Sequence, residues 1–258
     1  MIALILFYFS ASSRLVNYNR GLSEIRWRIM PRMLELFAGT HSVSKVFSAA
    51  GWECVSLDSC AKFQPTIVAD VMQWDYKVFP PGHFDYVHAS PPCTEFSRAL
   101  TTRPRNLELG DLLVDKTLEI LAYFRPRFWT LENPFTGYMK SRPNMQHLKA
   151  FMRRVTYCMY SPEDDDAWAY RKDTSIWNNL SAWRPRTLCT KACPCVWREA
   201  HGGCHPRAAQ RGGGRGVNAK NTRSQSQLYS LPPPLVHEWL EAINEASAAV
   251  EDISLESD

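Results

Sequence analysis

Phe84-Asp85-Tyr86-Val87-His88-Ala89-Ser90-Pro91-Pro92-Cys93-Thr94-Glu95-Phe96-Ser97 is the stretch on which the fold turns. Its first six residues alternate apolar and polar, the pattern of a strand buried against a core. Pro91 and Pro92 cannot extend a hydrogen-bonded ladder, so the strand must end there and the chain must turn sharply. That rigid turn presents Cys93 among polar neighbours. A cysteine on a stiff loop at the carboxyl end of a strand has the placement of a nucleophile. The same stretch also suits a small cysteine at an ordinary strand-to-loop junction, and the rest of the chain has to decide between the two.

Working outward, Met33 to Phe37 reads as a strand and Ala38-Gly39-Thr40 as a turn, with Val43, Val46, Phe47 and Ala50 at helical spacing after it. Glu53 to Leu57 is a second strand ending at Asp58, and a short strand at Thr66 to Ala69 ends at Asp70. Leu107 to Phe124 is a strongly amphipathic helix, and Arg127 to Leu131 a strand ending at Glu132-Asn133-Pro134. Asn144 to Arg154 reads as a helix and Val155 to Tyr160 as a strand. Strands alternating with helices predict an α/β fold, a doubly wound and mostly parallel sheet. Ligands of such sheets bind beyond the carboxyl ends of the strands. Gly39, Asp58, Asp70, Cys93 and Glu132 all fall on that rim, a convergence that favours a working site over a chance junction.

The composition allows this. With 258 residues and 45% hydrophobic content the chain can bury one core and carry an appendage. A net charge of +4 permits nucleic acid as a partner without demanding it. The excess is concentrated: residues 184 to 223 hold nine lysines and arginines against the single acid Glu199. Cys54, Cys60, Cys93 and Cys158 are scattered through the chain, which fits a reducing, intracellular compartment rather than a disulfide scaffold. The apolar run from Met1 to Phe9 is far shorter than the roughly 20 residues of a membrane span. It also lacks the basic start of a signal peptide. Residues 1–31 are therefore read as a dispensable extension, 32–179 as the catalytic core, 180–224 as a small basic Cys/His-rich segment, 225–246 as a helix packing back on the core, and 247–258 as an acidic disordered tail.

Gly39 stands where strand gives way to helix, a place where φ > 0 and close backbone approach to a ligand are needed. The helix start beyond it favours an anionic group. Asp58, about 20 residues on, is placed to accept ribose hydroxyls. His41 and Ser42 break any G-x-G-x-x-G pattern, so a nicotinamide dinucleotide fits poorly and a smaller adenosyl ligand fits better.

Leu36-Phe37-Ala38-Gly39, Pro91-Pro92-Cys93-Thr94-Glu95-Phe96-Ser97 and Glu132-Asn133-Pro134, in that order and at those intervals, resemble the motifs of the C5-cytosine DNA methyltransferases. The likeness covers about residues 33 to 178, with a short continuation near 225 to 243. It implies a Rossmann-like methyltransferase fold, with S-adenosylmethionine held by Phe37, Ala38, Gly39, Thr40 and Pro92, Asp58 on the ribose and Asp70 near the adenine. It further implies that Cys93 attacks C6 of a flipped cytosine in double-stranded DNA, with Glu132 as ring anchor and acid and Asn133 holding the adjoining backbone. The family's Gln-x-Arg-x-Arg motif is matched only loosely in Tyr170 to Trp177, where Arg171 is taken as the anchor for nucleotide or phosphate. Arg98, Arg103 and Arg105 are available to close over DNA, or belong to a solvated loop. A monomer acting on DNA inside the cell is expected. RNA as the substrate, or a non-catalytic nucleic-acid-binding relative, stays open.

The family's large recognition region is here reduced to about 45 residues, Leu180 to Ser224. Within it Cys189, Cys193, Cys195, Cys204 and His205 lie at short spacing, which fits a structural zinc replacing the core that so small a segment cannot build. Cys189, Cys193, Cys204 and His205 are the expected ligands; free thiols in a basic loop are the alternative. Gln210 to Gly216, rich in arginine and glycine, suits contact with a phosphate backbone.

Overall fold

In the computed structural model, residues 30–161, 168–190, 205 and 228–255 are described. The extension 1–29, the final residues 256–258, Gln210 to Gly216, Cys193 and Cys204 lie outside them. Residues from Pro31 onward form one unit. Seven strands make a single sheet: β1 (Arg32–Leu36), β2 (Glu53–Asp58), β3 (Ile67–Val68), β4 (Tyr86–Ala89), β5 (Phe128–Pro134), β6 (Met152–Thr156) and β7 (Asp173–Asn178). Their order is β3-β2-β1-β4-β5-β7-β6. The first five run parallel, and β7 is antiparallel to both neighbours, β5 and β6. A Rossmann-like α/β sheet, mostly parallel, is thus what the chain forms.

Alternation along the strands sends side chains to two cores. Met33 of β1, Tyr86 of β4 and Phe128 of β5 point to one face, where α1 (Ser44–Ala49) contributes Val46 and Phe47 and α3 (Pro233–Leu255) contributes Val236, Trp239 and Ile243. Leu34, Leu36, Val87, Ala89 and Leu131 point to the other face, against Val114, Ile120 and Phe124 of α2 (Leu107–Phe124). The Asn106 side chain accepts from the Leu109 N–H and so starts α2, and Arg125 in the left-handed region ends it. No helix among the described residues is long and apolar enough to cross a membrane.

Four expectations need correction. Asn144 to Arg154 is not an α-helix but 3₁₀ turns over Pro143–Phe151, followed at once by β6. Its apolar residues Met145, Leu148 and Phe151 recur every third position, the period of the tighter helix. The strand expected at Val155 to Tyr160 lies earlier, at Met152–Thr156, and Tyr157–Tyr160 is a 3₁₀ turn. Glu132-Asn133-Pro134 belong to β5 rather than following it, because β7 pairs with them: Glu132 opposite Ile176, Asn133 opposite Ser175, Pro134 opposite Thr174. The C-terminal helix continues to Leu255, through the stretch expected to be a disordered tail.

Candidate active site

Strand order reverses between β1 and β4, and a crevice opens beyond their carboxyl ends. One wall is the turn from β1 into α1. Phe37, Gly39 and His41 all have positive φ, at 59°, 48° and 60°. For Gly39 this costs little, and a Cβ there would meet only the Phe37 carbonyl at 3.9 Å. The requirement is conformational rather than one of space. For Phe37 and His41 the left-handed region costs about 1–2 kcal/mol each. Several bonds hold the strained turn: Ala38 N–H donates to Leu57 O at 3.0 Å, Gly39 N–H to Asp58 Oδ2 at 2.9 Å, and His41 Nε2 to Phe63 O at 2.6 Å. Beneath it the buried Glu35 accepts from Val43 N–H at 3.1 Å and Ser44 N–H at 2.9 Å. Burial pushes the Glu35 carboxyl up, and these two bonds oppose the shift. Nothing in the motif reading singles out Glu35. Its one sequence signal is an acid between Leu34 and Leu36 in a buried strand.

The facing wall is the loop after β4. Asn133 Nδ2 donates to Pro91 O at 2.9 Å, tying β5 to the proline turn. Cys93 follows, half-buried, and its carbonyl accepts from Phe96 N–H at 3.0 Å. The Phe96 ring is fully buried under the loop, against Gly110 of α2. Burial pushes the Cys93 thiol up, the Glu132 carboxylate pushes it further, and the Lys172 ammonium pulls it back.

Glu132 is 6% exposed, so its partners matter. Tyr157 Oη donates to Glu132 Oε1 at 3.4 Å and Lys172 Nζ lies 3.8 Å from the same oxygen. Lys172 Nζ also sits 4.6 Å from the centre of the Tyr157 ring and donates to Leu228 O at 3.0 Å. Neither partner stands out in the sequence. Tyr157 looks like one more core aromatic, and Lys172 is overshadowed by its neighbour.

A cavity of about 450 Å³ joins these walls. Phe37, Ala38, Gly39, Thr40, Asp58, Asp70 and Pro92, all expected around a cofactor, line it. Cys93 and Glu132 line the same cavity. Its size is within the range of small-ligand sites. Asp58 spends one lone pair of each oxygen, on Gly39 N–H and on Cys60 N–H at 2.8 Å, and a carboxylate has others to offer ribose hydroxyls. Asp70 Oδ1 caps Met72 N–H at 2.9 Å while lining the cavity. The C-terminal segment closes the rim: Tyr229 and Leu231 line it, and the Thr40 and Ser230 hydroxyls are 2.7 Å apart.

Asn133, Arg171 and the three loop arginines do not line the cavity. Asn133 stands behind the cavity as the brace on Pro91. Arg171 does not reach the cavity. Its guanidinium is 3.5 Å from Asp173 Oδ2 and nearly half exposed, and it is Lys172 that points inward. Adjacent side chains of an extended segment face opposite ways, so only one of this pair can enter. Arg103 is paired with Glu95, whose carboxyl is held down at about 2 by that partner first and by Asn106 N–H second. Arg105 donates to Ser97 O and Leu100 O, so two of the three loop arginines are engaged inside the loop. Arg98 stacks over Tyr138. Of the expected zinc ligands, Cys189 Sγ and His205 Nε2 are 3.5 Å apart, and Cys158 joins them.

Residues 31–161 match the family model described as C-5 cytosine-specific DNA methylase. A protein of frog virus 3 (isolate Goorha), described as "Probable DNA (cytosine-5)-methyltransferase", is 34% identical over 230 residues, which is 81% of this chain and 99% of that protein. Among solved structures, one described as a prophage-encoded DNA modification methyltransferase (E. coli) aligns with TM-score 0.43 and 15% identity, covering 62% of this chain and 52% of that one.

Proposed function

The chain belongs to the C-5 cytosine-specific DNA methylase family, and from that membership we propose that it methylates C5 of a flipped-out cytosine in double-stranded DNA through a Cys93–C6 bond. The observation that carries this reading is one shared cavity: Cys93 and Glu132 open onto the same space as Phe37 to Thr40, Asp58 and Asp70. S-adenosylmethionine held by those residues would supply an electrophilic methyl group.

The chain's own residues do the rest. Cys93 gives up its proton to solvent, and the Sγ of the thiolate bonds to C6 while the electron pair of the C5–C6 double bond shifts away from C6 toward C5 and N3. Glu132, against the ring's N3 and amino edge, takes up a proton as the cytosine enters and offers it to N3 where negative charge develops. After transfer, loss of the C5 proton to a base lets the Sγ–C6 bond break and the ring recover its double bond. Lys172, and not the Arg171 expected as a nucleotide or phosphate anchor, faces the cavity, where it offsets the Glu132 charge and favours the Cys93 thiolate. Asn133 acts as a positioning residue that fixes the proline turn. Flipping the base costs a few kcal/mol and is required because the thiol cannot reach C6 in a stacked duplex. The protein then works as an intracellular monomer on DNA; the scattered Cys54, Cys60 and Cys93 support a reducing compartment, and the basic segment supports a polyanionic partner.

The test is incubation of purified protein with isotopically labelled S-adenosylmethionine and mixed-sequence duplex DNA, followed by mass spectrometry of the nucleosides. Labelled 5-methylcytosine that disappears in Cys93→Ala is the expected result. Label on a nitrogen, or product surviving Cys93→Ala, overturns the covalent mechanism. Label confined to RNA in a parallel arm overturns the choice of substrate.

A further inference from the structure

Cys158 sits in the 3₁₀ turn after β6, and Cys189 lies 31 positions later, at the near end of the basic segment. Both are buried, at 3% and 4% exposure. Hydrogen bonds from residues 186–189 to the end of β6 and the turn after it bring them together. Cys189 N–H donates to Thr156 Oγ1 at 3.3 Å, Arg186 N–H to Tyr160 Oη at 3.0 Å, and Arg186 Nη1 to Met159 O at 2.9 Å. His205, 16 positions beyond Cys189, completes the group. The two sulfurs and one imidazole nitrogen all lie within 4.8 Å of one another.

The sulfur-to-nitrogen spacing suits a particular ion. Tetrahedral zinc with Zn–S of about 2.3 Å and Zn–N of about 2.0–2.1 Å requires an S···N edge of about 3.5–3.6 Å. The Cys189 Sγ to His205 Nε2 separation is 3.5 Å. Two thiolates and an imidazole are a donor set for zinc rather than for magnesium or calcium, which take oxygen ligands.

We propose that Cys158, Cys189 and His205 bind a structural zinc ion, and that Cys158 makes it a staple between the catalytic core and the basic segment. Both thiols lose their protons on binding, and His205 binds as the neutral ring. Sequence spacing alone points to a self-contained knuckle inside the segment. Including Cys158 changes what the metal does, because it ties Cys189 and His205 to the turn after β6 and not only to each other. The residue before Cys158 is Tyr157, whose hydroxyl touches Glu132, so the staple stands one residue from the active-site wall.

Full-length protein, purified without chelator and exchanged into zinc-free buffer, should carry about one zinc per chain by elemental analysis. Cys158→Ser and His205→Ala should each lose most of it, and Cys60→Ser, a cysteine outside the group, should keep it. Cobalt substituted into the wild-type protein gives a second reading that no folding defect in a variant can confuse. Intense thiolate-to-cobalt absorption with tetrahedral d–d bands is expected. Metal-free wild-type protein that also fails to take up zinc or cobalt overturns the proposal. So does full zinc retention by Cys158→Ser, or wild-type protein lighter by two hydrogens through a Cys158–Cys189 disulfide.

Discussion

Replacing Gly110 with alanine puts a methyl group into the support of the catalytic loop, and the structure allows its effect to be worked out. A Cβ at Gly110 would stand 2.7 Å from Phe96 Cζ and 2.9 Å from Cε1. Carbon pairs rest at about 3.5–4.0 Å, so the ring must yield by roughly an ångström. It has little freedom to do so. Phe96 is fully buried, its N–H is bonded to Cys93 O, and its carbonyl accepts from Tyr138 N–H at 2.9 Å. Overpacking of this kind costs about 1–3 kcal/mol, against which alanine recovers at most about 1 kcal/mol of helix propensity. A net loss of about 1–2 kcal/mol is expected, or a fall of roughly 2–8 °C in Tm for a domain this size. Because the ring can move only by pushing Cys93 to Ser97, methyl transfer should fall further than stability does, by about tenfold or more. The assays are urea denaturation and single-turnover transfer below the unfolding range, with Phe96→Leu added to make room. Rescue by Phe96→Leu is expected, as a favourable coupling in the double-mutant cycle. A Gly110→Ala protein that is both more stable and fully active would refute the argument that Phe96 transmits packing to Cys93.

Other outcomes follow from the same geometry. Lys172→Met removes the charge that pulls the Cys93 thiol down, and Glu132→Gln removes one that pushes it up. The pH midpoint of Cys93 alkylation by iodoacetamide, read at the peptide level, should rise in the first and fall in the second; shifts of the same sign would refute the arrangement. Burial holds the His88 ring down at about 3, from an ordinary value near 6.5. The unfolded chain therefore takes up a proton that the folded chain refuses, so this contribution is complete above about pH 6.5 and is lost as pH falls toward 3, amounting to a few kcal/mol. Denaturation at a series of pH values should show a steeper acid loss in the wild type than in His88→Gln, and equal slopes would contradict it. Asn133→Ala deletes the bond to Pro91 O and leaves that carbonyl without its partner, for about 1–3 kcal/mol in urea denaturation, with lower transfer activity; no change in either would show that the brace is idle.

The rim of the sheet was legible because single residues announce it. Gly39 marks a forced φ, Pro91 and Pro92 mark the end of a ladder, and Asp58 is a polar residue closing an apolar run. What stayed hidden depended on pairing across the sheet. β7 inserts between β5 and β6, and no local pattern in Asp173–Asn178 reveals which strands flank it. The extent of β5 follows from that insertion, and so does the choice between Arg171 and Lys172, since strand phase decides which one faces Glu132. Cys158 shows the same limit. In the sequence it is an isolated thiol in an aromatic stretch, and only the return of residues 180–190 along the turn after β6 brings Cys189 to it. Glu35 was passed over because its role, receiving the first N–H groups of α1, is a contact between a strand and the helix that follows rather than a motif.

The hydroxyl contact between Thr40 and Ser230 joins residues 190 positions apart, and Leu231 N–H donates to Ser42 Oγ at 3.1 Å beside it. The Thr40 end of the pocket is therefore closed by a segment that follows it by 190 positions in the chain. A nascent or truncated polypeptide that stops before this point can assemble β1, β2 and the Cys93 loop, yet it leaves the Thr40 end of the pocket open to solvent. Ligand capture is in this way deferred until the segment around Ser230 and Leu231 has been made. A prematurely terminated product should be a poor competitor for cofactor, and two fragments divided upstream of residue 228 should regain binding only when mixed.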